Sequence, residues 1–336
     1  MPTYQGLIDK TAAPLDGAAL LKERREKIVE IQKLTGRPLV IYFSNFIKGG
    51  NVQNNSIDDT DITAFSDLVE DVPGQDLDVL LHTPGGIVES AERIVALLRA
   101  KFTSVRFVVP HSAYSAGTVI AFSGDEILMD DRSALGPVDP QIIFRDPATG
   151  EPQAVPAQAI TLGFERAIAA LKDAPPEVLK AYLPMLNKLN VHLFEICKNA
   201  EALTRTLSID FLTRHMFKGA ADAAGHAKAI VAFFSDHQTS RSHRRGIGIA
   251  EAVELGLNVF DMRREPKLRN AIWQLYCAVE FFIDQAADTS KFYENAFGVS
   301  WRRRFQVLQA QLQFGPAPAP PPGRPQPRPR PGGGKK

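Results

Sequence analysis

Leu80–Arg99 reads LLHTPGGIVESAERIVALLR, and Val105–Phe122 reads VRFVVPHSAYSAGTVIAF. Each passes from an apolar run through a turn of small residues into a stretch with helical spacing. Glycine and proline at the first turn, and Ser-Ala-Gly at the second, mark points where backbone N–H groups are left without sheet partners. Two such turns in succession predict a strand-turn-helix unit used twice, and a site where the turns meet.

Working outward, the same alternation continues. Asp16–Gly36 has apolar residues at helical spacing, Leu20, Leu21, Ile28, Ile31 and Leu34, with Asp16 as a cap and Gly36 as a stop. A strand follows from Pro38, then a helix at Ile62–Val69, a strand at Leu77–Leu81 and a helix at Ile87–Ala100. Ser104–Val109 predicts a strand, Ala116–Phe122 a short helix and Glu126–Met129 another strand. Strands that are nearly continuous apolar runs, separated by helices, predict an α/β fold with a mainly parallel sheet covered on both faces.

Beyond Gly136 the pattern changes. Asp146–Pro156 has the composition of an exposed connector. Pro156–Met216 is mostly helical, with an apolar stripe of Leu186, Leu189, Leu193, Ile196, Ala200, Leu203 and Leu207 that reads as core or subunit contact. Gly219–Phe234 predicts a further helix, and Arg245–Met262 a turn, a helix and a short strand. Leu268–Ala287 predicts a last long helix whose Trp273, Tyr276, Phe281 and Phe282 suit packing between subunits. The end, GPAPAPPPGRPQPRPRPGGGKK, is a Pro/Arg tail that cannot bury a core. It reads as a solubilising tail, or as a ligand for a Pro-binding module or an anionic partner. The implied organisation is an N-terminal helical segment at 1–37, a catalytic domain at 38–262 with a helical insertion at about 156–234, C-terminal helices at 263–314 and a disordered tail at 315–336.

The totals exclude several classes. The chain has 336 residues, of which 44% are hydrophobic and 23% charged, with a formal net charge of +1, so no basic field predicts a nucleic-acid partner. Its two cysteines, Cys197 and Cys277, have no CxxC and no histidine at metal-ligand spacing. No metal and no cofactor is expected. The start lacks a basic stretch followed by an apolar one, and no apolar run approaches the ~20 residues of a membrane span. The expected location is cytoplasmic.

At the first turn, a helix beginning just after Gly85 and Gly86 offers free amides to an oxyanion, and glycine lets a substrate come close; a tight turn set by geometry alone is the plain alternative. At the second, Ser115 is flanked by Ala116 and Gly117, which leave its hydroxyl accessible, as a nucleophile requires. The bland reading of Ser115 is a helix N-cap. Position 113 is alanine, so this is no G-x-S-x-G elbow, and no GxGxxG supports a dinucleotide site. If the strands ending at His82 and His111 are neighbours, both turns share one sheet edge. A carbonyl attacked by Ser115 then has its oxygen near the N–H groups of Gly85, Gly86 and Ala116.

Three blocks, Leu80–Arg99, Val105–Gln141 and Arg245–Val259, resemble the serine dehydrogenase proteinase family, a branch of the Clp-protease/crotonase fold related to signal peptide peptidase A. The resemblance runs from Val40 to Gln141 and resumes near Arg244–Val259, with the blocks in order. It implies Ser115 as nucleophile, an oxyanion hole at Gly85, Gly86 and Ala116, and a site shaped by Asp125 and Leu135–Gln141. It also implies a homo-oligomer acting on peptide or unfolded protein.

A serine hydroxyl needs a base within hydrogen-bond reach. In Clp proteases a histidine follows the serine by roughly two dozen residues, and that register here holds Asp139, Pro140 and Gln141. Signal peptide peptidase A and its relatives use a lysine whose pKa burial lowers. Lys172 and Lys188 are the downstream candidates, with Lys188 preferred beside the apolar stripe and His192 as a substitute. Each has a plain reading as a solvated or core-edge side chain. His82 and His111 are candidates for lining the cleft. His243 is a candidate for approaching the site or for binding a substrate carboxylate with Arg244 and Arg245; solvated loop charges are the plain alternative for these three. The leading expectation is a serine endopeptidase. An inactive Clp-like assembly or binding protein, and a crotonase-like acyl-coenzyme A enzyme, are the alternatives.

Overall fold

The computed structural model describes residues 17–47, 54–145, 150, 152–172, 175, 177–178, 180, 191–236, 245–286 and 288–304. These belong to one unit, which ends at Phe305. Lys188, His243, Arg244, the first 16 residues and the Pro/Arg tail lie outside the described residues.

Five parallel strands carry the fold: β1 (Leu39–Ser44), β2 (Asp76–His82), β3 (Ser104–Val108), β5 (Glu126–Met129) and β9 (Val259–Asp261), side by side in that order. The sheet is extended past β1 by β10 (Thr289–Asn295), antiparallel to β1, and β11 (Ser300–Arg304), antiparallel to β10. Alternate residues of each strand serve opposite faces. Leu39, Ile41, Leu80, Val108 and Leu128 pack under α1 (Gly17–Thr35) and the helix α9 (Pro266–Gln285). Val40, Tyr42, Val79, Leu81 and Phe107 face the other way, into a core shared with α2 (Thr60–Glu70), α3 (Val88–Lys101) and α4 (Ala116–Phe122). The mainly parallel α/β fold expected from the sequence is the one observed.

The helical insertion comprises α5 (Ala157–Leu171), α6 (Val191–Phe211), which continues as a π-helical turn at Leu212–Met216, and α7 (Ala223–Ser235). A short helix, α8 (Ile249–Glu254), leads to β9. Small two-residue strands β4 (Ser112–Ala113) and β6 (Ala134–Leu135) pair beside the second turn.

Three expectations are corrected. The connector before α5 includes a strand, β8 (Pro152–Pro156), paired antiparallel with β7 (Gln141–Arg145). Among the described residues, the C-terminal segment is helical to Gln285, after which β10 and β11 join the main sheet. Of the aromatic residues of α9, Tyr276 and Phe281 are buried within the chain, while Trp273 and Phe282 are half-buried against the core beneath.

Candidate active site

The two turns meet. Beyond β2 the chain stays extended, so that Thr83 N–H donates to Ser112 O at 3.0 Å and Tyr114 N–H donates to Thr83 O at 3.0 Å. This bridge brings Gly85 onto Ser115. A Cβ placed on Gly85 would lie 2.5 Å from Tyr114 O, 2.6 Å from Ser115 Cβ and 2.9 Å from Ala116 N, and the residue has φ +92°. Only glycine permits that approach and that conformation together.

Gly86 is constrained on its other side. Ile57 N–H donates to Gly85 O at 2.7 Å and Ile87 N–H to Ile57 O at 2.9 Å, and a Cβ on Gly86 would collide with the Ile57 backbone. The diglycine is thus held between Ile57 and Ser115. Gly85 N–H is already given to Thr83 Oγ1 at 3.2 Å, so this residue contributes closeness rather than a donor. Among the described residues, the amides of Gly86 and Ala116 make no hydrogen bond.

Ser115 stands at the N-cap position of α4, yet its hydroxyl makes no capping bond. The reason is its backbone, φ +52° and ψ −121°. A capping residue is normally extended, with its side chain folded over the first helical amides, whereas this left-handed geometry swings the hydroxyl outward. The conformation costs of order 1–3 kcal/mol for a residue with a Cβ, and such strain is found where a side chain is presented for use. The turn is a strained strand-to-helix turn of the kind a nucleophile elbow uses, here without a glycine at position 113.

The turns open on a cleft of about 600 Å³ lined by Gly85, Gly86, Ser115 and Ala116, by Ile57 and Asp58, by Val138, Pro140 and Gln141–Ile143, and by Ala200, Leu203 and Thr204 of α6. The expected Leu135–Gln141 block therefore does shape it. A groove of similar volume, about 610 Å³, runs along α1 between Lys22, Glu26, Glu30 and Lys33, but it contains neither turn.

Other candidates fall elsewhere. Asp125 receives Val105 N–H at 2.7 Å and Arg99 Nη1 at 2.9 Å, at the end of β3 remote from Ser115, where it anchors the sheet. His82 and His111 leave the turns on the opposite face, against α9. The His82 ring lies 4.3 Å from Phe43 and 5.3 Å from Tyr276, and His111 stacks on Tyr276 at 5.7 Å and 9°. Burial, reinforced by His111, pushes the His82 imidazole well below its ordinary value, so it stays neutral. Lys172 and His192 are exposed, and Arg245 pairs with Glu251 at 2.7 Å. Among the described residues, no lysine or histidine lines the cleft.

Sequence reasoning missed a charged group behind the cleft. Lys291 of β10 is completely buried, and its Nζ donates to both oxygens of Asp61 at 2.9 Å and to Asp58 Oδ2 at 3.1 Å. Tyr42 and Tyr293 donate their hydroxyls to the same Asp61 carboxylate. Burial acts to raise the Asp58 carboxyl, but hydrogen bonds from Thr60 and Lys291 outweigh it and hold it below its ordinary value.

Residues 57–157 match the family described as ClpP-like SDH-type serine proteinases. Two uncharacterized proteins of Methanocaldococcus jannaschii are similar in part: one is 48% identical over 66 residues, 20% of this chain and 23% of that protein. The other is 42% identical over 73 residues, 22% of this chain and 24% of that protein. The matches thus span about a quarter of those relatives. Among solved structures, a mutant of the 1510-N membrane-bound stomatin-specific protease gives a TM-score of 0.36 at 16% identity, over 63% of this chain and 79% of that one. A mutant of ClpP1 from Listeria monocytogenes gives 0.33 at 15% identity, over 70% and 98%. Among the described residues, no helix is long and apolar enough to cross a membrane. Over residues 57–157, the stretch that holds both turns, the chain matches the ClpP-like SDH-type serine proteinases, the family its sequence resembles.

Proposed function

We propose that this chain is a serine endopeptidase acting on extended or unfolded polypeptide. Ser115 Oγ attacks the peptide carbonyl carbon while a base takes its proton. The carbonyl oxygen, now negative, receives the amides of Gly86 and Ala116, and the proton passes to the leaving amine as the C–N bond breaks. Water then attacks the ester on Ser115 and releases the acid. The base in this reading is Lys188, which precedes α6 by three residues in sequence; Ala200, Leu203 and Thr204 of that helix line the cleft. The oxyanion donors differ from the sequence expectation in one respect, since Gly85 N–H is occupied by Thr83.

The observation that carries the proposal is the apposition of Gly85 and Ser115, with an uncapped hydroxyl and, among the described residues, the unbonded amides of Gly86 and Ala116 at one open cleft. Such fixed donors act where charge develops and need no reorganisation during reaction. Exposed isoleucines on β7 and the insertion, Ile143, Ile168 and Ile196, favour a homo-oligomer, to be checked by sedimentation. Labelling with a fluorophosphonate tests the chemistry. Wild type is expected to label on Ser115, Ser115→Ala not at all, and Lys188→Ala far more slowly. A wild type that does not label sinks the enzyme reading and leaves a binding protein.

A further inference from the structure

Lys291 and Asp61 are the most deeply buried opposite charges near the cleft, and neither touches it. A buried ion pair is seldom retained for stability, because well-packed apolar residues of the same size serve as well. What it supplies is a fixed geometry. The Asp61 carboxylate receives Lys291 Nζ on both oxygens, the hydroxyls of Tyr42 and Tyr293, and the backbone N–H of Asp58 at 2.8 Å. Lys291 in turn reaches the Asp58 side chain. Asp58 is therefore held by both its backbone and its carboxylate.

The next residue toward the N-terminus is Ile57, whose N–H and C=O pair with Gly85 O and Ile87 N–H on either side of Gly86. The path from Lys291 to the Gly86 amide thus crosses one ion pair, one peptide unit and one pair of backbone hydrogen bonds. We propose that Lys291 is a positioning residue for the oxyanion loop: paired with Asp61, it fixes the 57–58 backbone against which Gly85–Ile87 is aligned with Ser115. This rests on the reading of Ser115 as nucleophile. It adds that strand β10, distant in sequence and outside the matched segment, sets the reactivity of the turn.

The test uses the full chain carrying Lys291→Met together with Asp61→Asn, which keeps the buried group neutral, and Tyr293→Phe as a milder companion that folds even if the pair does not. Fluorophosphonate labelling is resolved into kinact, KI and labelled fraction, and hydrogen exchange is followed at the Ile57 and Ile87 amides. The double variant is expected to lose roughly tenfold to hundredfold in kinact, with KI unchanged. Exchange at Ile57 and Ile87 is expected to accelerate, while exchange at Thr83 and Tyr114, on the other side of the turn, does not. Tyr293→Phe is expected to show smaller changes of the same kind. A reduced labelled fraction at unchanged kinact, or exchange within twofold of wild type at Ile57 and Ile87, overturns the proposal. If wild type does not label, the serine reading has failed and the exchange comparison alone decides the role of Lys291.

Discussion

Gly85→Ala places one methyl group where the two turns touch. Its Cβ would sit 2.5 Å from Tyr114 O and 2.9 Å from Ala116 N, both backbone atoms unable to rotate aside, and 2.6 Å from Ser115 Cβ. Two costs combine. Holding alanine at φ +92° costs of order 1–3 kcal/mol, and forcing a methyl into a filled site costs about 1–3 kcal/mol more. The sum, about 2–6 kcal/mol, is a large part of the roughly 5–15 kcal/mol that holds a folded domain together. Gly74 separates the two, because it has φ +81° with nothing within 4 Å of its added Cβ. Gly74→Ala should therefore lose only the conformational part, about 1–3 kcal/mol. If the first turn instead shifts to relieve the clash, a displacement of ~1 Å is enough to cost ~100-fold in reactivity. The assay is urea unfolding alongside fluorophosphonate labelling of both variants and wild type. Gly85→Ala should unfold at lower urea and label ~100-fold more slowly, while Gly74→Ala labels as wild type. Equal behaviour of the two variants in both measurements would refute the contact between the turns.

Ser115→Gly removes the left-handed strain together with the hydroxyl, so its thermal midpoint should rise while labelling disappears; a fall in midpoint counts against stored strain. His215, in the π-helical turn, is pushed down to about 4 by burial and then by Arg99, against the aspartates nearby. The unfolded chain takes up that proton near pH 6.5 and the folded chain only near pH 4. Stability should therefore fall as pH drops across this window, and His215→Gln should flatten that part of the curve in denaturant titrations at pH 7 and pH 5. Asp78 is buried between Arg37 at 2.9 Å and Arg106 at 2.8 Å. Asp78→Asn removes the shared carboxylate, while Arg37 keeps Asp76 and Ser104 and Arg106 keeps Glu126, so it should cost about 1–3 kcal/mol, read by urea unfolding, while labelling of the folded fraction stays at the wild-type rate.

The sequence by itself determined the parallel half of the sheet, its helices and the two turns. Those features are local: a buried strand is an apolar run, and a glycine turn announces the backbone it permits. The placement of Ser115, Gly86 and Ala116 at those turns was legible for the same reason. Asp125 was misplaced because a strand has two ends, and only its bonds to Val105 and Arg99 tell which one it occupies. Tertiary structure alone decided what β10 is. Every residue of TSKFYEN is buried, Lys291, Glu294 and Asn295 included, so its composition matches neither an alternating nor an apolar strand. Its polar groups are satisfied by partners far along the chain, Lys291 by Asp61 across 230 positions and Glu294 by Arg24 across 270. A residue's suitability for the interior then depends on who waits for it there, which no local pattern records. The same holds for α9, whose aromatic residues are apolar in any setting and were assigned to this chain's own core only by the sheet and α1 closing over them.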